Sequence, residues 1–227
     1  MNTIHKISTL LILCFLSVSC QEASSESIVL PYYPSADFTP QWIDDPVELA
    51  GLHQIGDFAL LNQNGDTIRQ QHLEDKIYVA NFFFTSCPGI CPKLTANFSV
   101  VQAAIQKADD VLLLSHSVMP WVDSVPKLRE YADYNAVIDE KWHLLTGPQT
   151  EINQLARNSY FAEKELGLKK DTEDFLHTEN MILVDYQGHI RGIYNGTITV
   201  EMDRLIEDIE ILRKERVLSI KGMARSL

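Results

Sequence analysis

Cys87 and Cys91, separated by Pro88-Gly89-Ile90 and followed by Pro92, are the residues of this chain best equipped for chemistry. A thiolate is both a nucleophile and a soft metal ligand. Pro88 can occupy a first helical turn, where its missing N–H would have no intrahelical partner. The two thiols would then share one helical face, with Cβ atoms roughly 5 to 6 Å apart. That separation lets them hold one metal ion or, with some adjustment, close a disulfide. The alternative is a pair of buried structural cysteines. Against it stands what precedes them: Ile77 to Phe84 is β-branched and aromatic with one polar interruption, a central strand covered on both faces, and Thr85-Ser86 ends it. Cysteines at a strand-to-helix turn of an α/β pattern are where redox and metal chemistry is sited.

The chain that positions this turn has 227 residues, 45% of them apolar, enough for one domain with a real core. Its formal net charge is -12, with 31 acidic residues against 19 basic ones, which argues against a nucleic-acid partner. Residues 1–19 form a signal peptide: Lys6 is followed by the apolar run Ile7 to Leu16, too short to span a bilayer. The run ends Leu16-Ser17-Val18-Ser19-Cys20, which resembles a bacterial lipoprotein signal in which Cys20 becomes the acylated first residue. An ordinary cleaved signal or an uncleaved anchor is the competing reading. With Cys14 removed and Cys20 acylated, Cys87 and Cys91 are the remaining free thiols. Export places them in an oxidising compartment, so the pair is a reversible disulfide, a metal site, or both.

Residues 20–50, rich in proline and without sustained periodicity, read as a lipidated tether and extended lead-in. Phe58–Leu61 and Thr67–Arg69 around Asn64-Gly65 predict a β-hairpin. After the cysteines, Leu94, Phe98, Val101, Ile105 and Ala108 predict an amphipathic helix ending near Asp109. Val111–Leu114 is a second buried strand, completing a right-handed βαβ unit. Ser115–Trp121 then reads as a loop. A helix around Val125–Ala132, a short strand at Trp142–Leu145 and a third helix from Ile152, closed near Gly167, come next. A polar loop over 169–180 contains His177 and leads into a hairpin of Met181–Val184 and Ile190–Tyr194. A long helix follows, with a tail expected over 217–227. The expected fold is α/β and thioredoxin-like, a central mixed sheet flanked by helices, with an added N-terminal β-hairpin and one domain over 51–216.

Thioredoxins place two residues between their cysteines, and this chain has three. The stretch Phe82-Phe83-Phe84-Thr85-Ser86-Cys87-Pro88-Gly89-Ile90-Cys91-Pro92 resembles the signature of the SCO/SenC family of copper chaperones. The resemblance covers roughly residues 50–212 and includes Ser124-Val125-Pro126 to Tyr131-Ala132, Leu145-Thr146-Gly147 and the isolated His177. It implies that Cys87, Cys91 and His177 bind one copper ion, Cu(I) or Cu(II), and that the protein helps to build the dinuclear copper centre of cytochrome c oxidase. The implied partners are the copper-bearing oxidase subunit and a copper donor protein, with the membrane reached through a lipid anchor. The implied location is the bacterial cell envelope, facing the periplasm. Met119-Pro120 stands where the family usually has Asp-Pro, and Thr178 where it usually has Ser. The first change puts in doubt contacts of that loop with a partner or with copper.

His116, just beyond the second strand, is the other candidate near the site, as a spare ligand or a support for one. His143 reads as packed or at the surface, His189 as exposed in a hairpin turn, and His53 and His72 as surface residues; Met119 is a possible soft ligand. The acidic loop Asp171 to Glu179 reads as solvated. Two function classes remain: a non-enzymatic copper chaperone, and a membrane-tethered thiol-disulfide oxidoreductase. Thioredoxins carry a proline before the strand corresponding to Met181, where this chain has His177-Thr178-Glu179-Asn180, which favours the metal-binding reading. A thioredoxin-like peroxidase would need a Thr or Arg environment for its cysteine that the sequence does not show.

Overall fold

The computed structural model of the chain describes residues 29–162 and 178–225. Strand β3 (Ile77–Phe83) is buried at all seven positions and is the middle of a five-stranded sheet. On one side it pairs in parallel with β4 (Val111–Ser117), which pairs in parallel with β5 (Trp142–Leu145). On the other side β6 (Asn180–Val184) and β7 (Ile190–Asn195) add antiparallel strands, giving the order β5-β4-β3-β6-β7. Parallel neighbours need crossovers. Helix α2 (Cys91–Ala104) joins β3 to β4, and α3 (Val125–Tyr134) joins β4 to β5.

Alternation along the strands divides the core. Ile77, Val79 and Phe83 face a layer built from α2, α3 and the long helix α5 (Thr199–Arg225), with Leu94, Phe98, Leu128, Leu205 and Ile209 among its buried residues. Tyr78, Ala80 and Phe82 face the other layer, with Leu60 of the hairpin β1 (Ala59–Leu61) and β2 (Thr67–Arg69), and Ile152, Leu155 and Ala156. The fold is therefore a mixed sheet flanked by helices, thioredoxin-like, with an added hairpin. That hairpin protects an edge: Leu61 and Thr146 exchange backbone hydrogen bonds of 2.8 and 2.9 Å, and Gln63 accepts from Leu144 N at 2.8 Å.

Several boundaries differ from the sequence expectation. Strand β4 continues to Ser117, because Ser115, His116 and Ser117 are buried rather than looped out. Helix α2 ends at Ala104, before Asp109. The third helix comprises α4 (Gln149–Gln154) and a π-helical turn over Leu155–Ser159, while the Gly167 region lies outside the described residues. Helix α5 runs through the expected tail to Arg225.

The lead-in is also more than a tether. A short helix, α1, spans Pro46–Ala50, and Leu30 and Tyr32 are buried against the domain. Arg191 holds them. Its guanidinium, 2% exposed, pairs with Asp185 at 3.1 Å and Glu215 at 3.0 Å, and lies 4.0 Å from the centre of the Tyr32 ring. It also donates to the carbonyls of Leu30 and Pro31 at 2.6 and 3.1 Å, while Glu215 accepts from Leu30 N at 2.8 Å. Asp185 is as buried as Arg191, so removing the arginine strands a carboxylate in the interior. Arg191→Leu is expected to lower stability by about 3–5 kcal/mol in urea unfolding. Lys127→Ala, which breaks an exposed pair with Glu130, should cost under about 1 kcal/mol. Equal small losses in both variants would refute this weighting.

Candidate functional site

The cysteines sit where β3 leaves the sheet. Cys87 N donates to Phe84 O at 3.3 Å, closing a turn, and α2 begins only at Cys91, with Pro92 in its first turn. Ile90 caps it, its carbonyl accepting from Lys93 N and Leu94 N at 3.0 Å each. The two thiols therefore do not share a helical face, as the spacing predicted. A helix starting at Pro88 would put Pro92 where an i to i−4 hydrogen bond is due and its ring against the carbonyl of residue 88. Cys87 instead lies in the turn and Cys91 on the first residue of the helix.

Both line one cleft with Phe82, Phe83, Phe84, Ile90, Val118 and Thr178. Cys91 is buried at 5% exposure and Cys87 is half-buried; both are free thiols. Their environments pull them apart. Burial pushes the Cys87 thiol up, but hydrogen bonds from Cys91, through its N–H and its thiol, and from the Gly89 and Ile90 N–H groups outweigh it and leave the pKa below the ordinary value. Burial pushes Cys91 up to about 12; a backbone hydrogen bond at Phe84 opposes this, and the negative charges of Cys87 and Asp123 add to it. Cys87 is thus the more readily ionised of the two, and a cation that binds both sulfurs must displace the Cys91 proton. Two sulfur donors against an aromatic wall suit a soft metal ion.

Asp123, absent from the sequence-derived candidates, lies fully buried behind this turn. Its carboxylate accepts from Thr85 Oγ1 at 2.6 Å, Thr85 N at 3.2 Å and Ser117 Oγ at 2.5 Å. In the sequence it precedes Ser124-Val125-Pro126 and looks like an ordinary acid at a helix start. The available signal was the pair of hydroxyl residues, Thr85 and Ser117, closing two adjacent buried strands.

The other candidates scatter. His116 is fully buried on the sheet face away from Cys91, stacked on Phe82 with ring centres 5.2 Å apart and packed against Phe58 and Tyr160. Burial holds its imidazole down to about 4 in spite of the nearby Asn81 carbonyl, and neither ring nitrogen makes a well-formed hydrogen bond. It is a core residue. His189 is buried rather than exposed, its Nδ1 2.9 Å from His53 O, and His53 Nε2 lies 2.7 Å from Ser159 O. His143 is half-buried on β5, and its pKa is lowered by burial. His72 Nδ1 accepts from Arg69 N at the surface. Met119 is partly buried against the hairpin-side core. Among the described residues no three His, Cys, Asp or Glu converge as a metal site. His177, Cys20 and Asp171 to Leu176 lie outside the described residues. Thr178, next after His177, is described and lines the cysteine cleft.

Comparison with known proteins gives a consistent result. Residues 48–213 match the SCO1/SenC family model. A SCO1 protein homolog of Bacillus subtilis (strain 168) is 30% identical over 173 residues, covering 75% of this chain and 86% of its own length. Among solved structures, a SCO1/SenC family lipoprotein from Bacillus anthracis str. Ames aligns with a TM-score of 0.63 and 26% identity, over 71% of this chain and 95% of that one. BsSco, a member of the Sco family of cytochrome c oxidase assembly proteins in which a disulfide switch has been identified, aligns at 0.61 with 30% identity, over 76% and 98%. Bradyrhizobium japonicum ScoI with copper bound aligns at 0.55 with 26% identity, over 69% and 98%.

The asymmetry of the two thiols is directly testable. Limiting iodoacetamide at pH 8 should alkylate Cys87 at least about tenfold faster than Cys91, read by peptide mass mapping, because Cys87 is both the more accessible and the more readily ionised. Equal rates, or faster reaction at Cys91, would overturn the assignment of Cys87 as the reactive member.

Proposed function

The chain belongs to the SCO1/SenC family, and on that footing we propose that it binds copper through Cys87, Cys91 and His177 and delivers it to the dinuclear copper centre of cytochrome c oxidase. The observation that carries this reading is the cleft itself, in which a readily ionised, half-buried thiol and a buried, proton-holding thiol meet beside Thr178. The copper bound in Bradyrhizobium ScoI supports copper as the cargo, and BsSco's membership of an oxidase-assembly family supports the destination. His177 is the proposed third ligand because the chain that follows it is pinned at the cleft: Thr178 Oγ1 accepts from Asn180 N at 3.1 Å, and Glu179 O accepts from Gly196 N at 2.8 Å.

Copper supplies a soft centre for thiolate exchange. Cys87 is the thiol open to an incoming partner thiolate. Cys91, buried in the core cluster that also holds Phe83 and Leu94, is positioned to let go last. Loading requires Cys91 to surrender its proton as the ion enters, and unloading returns it, so the buried thiol favours release once a partner competes. The partners in this reading are a copper donor and the copper-bearing oxidase subunit. Acylation at Cys20 would anchor the chain to a bacterial membrane facing the periplasm, a reading supported by the Bacillus anthracis lipoprotein. No helix among the described residues is long and apolar enough to cross a membrane.

A second reading, thiol-disulfide exchange with a partner, is favoured by one observation. An accessible, easily ionised Cys87 beside a buried Cys91 is also the arrangement of an attacking and a resolving thiol.

The chain should bind about one copper, and Cys87→Ser or Cys91→Ser should each abolish tight Cu(I) binding in competition titrations without loss of folding. His177→Ala separates the two readings, since an imidazole ligates copper but is not needed for thiolate attack. It should fail to restore oxidase copper content in cells as completely as the double cysteine variant does. Normal oxidase copper in that variant would transfer the function to thiol reduction. Incorporation of labelled fatty acid should vanish in Cys20→Ala, and incorporation that persists would place the anchor elsewhere.

A further inference from the structure

Asp123 contributes no sulfur or nitrogen to the cleft, yet the cysteine turn hangs from it. Its carboxylate takes both hydrogen bonds that Thr85 can donate, two residues before Cys87, and a third from Ser117 at the end of β4. Ser117 Oγ in turn accepts from Met119 N at 3.1 Å, so the same node fixes the start of the loop after β4. Every donor is a neutral group, and among the described residues no Lys, Arg or His pairs with this fully buried carboxylate. The carboxylate is therefore held directly behind the cysteine turn, bound to Thr85 two residues before Cys87, with no cation of the described residues beside it. A group that orients ligands and sets the local field from outside the coordination sphere commonly tunes a metal site.

We propose that Asp123 is a positioning residue for the cysteine pair and that its buried charge makes the site favour Cu(II) relative to Cu(I). This rests on the copper reading of the site given above. The sign follows from charge alone. With the same thiolates formed and the same protons released, the Cu(II) site carries one more positive charge than the Cu(I) site, so a fixed negative charge nearby stabilises the oxidised site more. Asn at this position keeps the shape but removes the charge, and its amide offers one oxygen where the carboxylate offered two to the Thr85 and Ser117 donors.

In the full chain in detergent, competition titrations for Cu(I) and Cu(II) should show that Asp123→Asn lowers the Cu(II)-to-Cu(I) affinity ratio about tenfold. That corresponds to a rise of about 59 mV in the potential of the bound copper. Thr85→Val removes the hydroxyl half of the clamp and leaves the charge. It should keep the wild-type ratio while shifting the thiolate-to-Cu(II) charge-transfer absorption; a ratio that falls in this variant, whose charge is intact, would overturn the charge argument even if Asp123→Asn does not fold. An unchanged ratio in folded Asp123→Asn, equal losses for both ions, or an unshifted spectrum in Thr85→Val would overturn the proposal while leaving the copper reading intact. A wild-type chain that binds neither ion would overturn both.

Discussion

The parallel pairing of β3 with β4 is the constraint on which the site depends. Its register sets Phe83 opposite Ser117, so the two strands finish side by side. The cysteine turn leaves one of them and the loop carrying Asp123 leaves the other. Val118 N donates to Phe83 O at 2.9 Å, extending the pairing one step past the strands. A carboxylate six residues beyond Ser117 can then reach back to Ser117 and across to Thr85. A register shift of one residue would turn Phe83 and Thr85 to the wrong face and separate all three groups.

This constraint explains what could and could not be read in the sequence. The cysteine turn, the two hairpins and the α2 periodicity were legible because each is a local pattern of residue types. The end of β4 was not, because Ser115-His116-Ser117 looks like the start of a loop. The hydroxyls of its two serines find partners outside the strand: Ser115 Oγ accepts from Trp142 Nε1 at 2.9 Å, and Ser117 donates to Asp123. His189 was misplaced for the same reason, since a histidine in a hairpin turn reads as exposed until the lead-in folds over it, with Tyr32 packed edge-on 5.6 Å away. Asp123 had no local signature at all. The pitch of the cysteines was read correctly as proximity and incorrectly as a shared helix, the difference being Pro92.

The two layers of the core divide the labour. The α2, α3 and α5 side holds Cys91 within its core cluster, while the hairpin side uses an imidazole, His116, purely for packing. A strand supplying both faces can carry a titratable group to the edge of the site and still keep it out of the chemistry. Phe82 separates the two roles, one edge lining the cleft and one face stacked on His116.

The docking of Leu30 by Arg191 and Glu215 has a consequence for geometry at a bilayer. Val184 and Arg191 lie at the end of the sheet where β3 begins, and the cysteines lie where it ends. The strand between them is about 20 Å long. If Cys20 carries the lipid, only ten residues run from it to Leu30, a mooring line of at most about 35 Å. The domain would ride close to the membrane, moored by its stern with the cleft at the bow. Delivery would then be confined to a shell of bounded height above the lipid, and a recipient would have to present its own ligands within that shell.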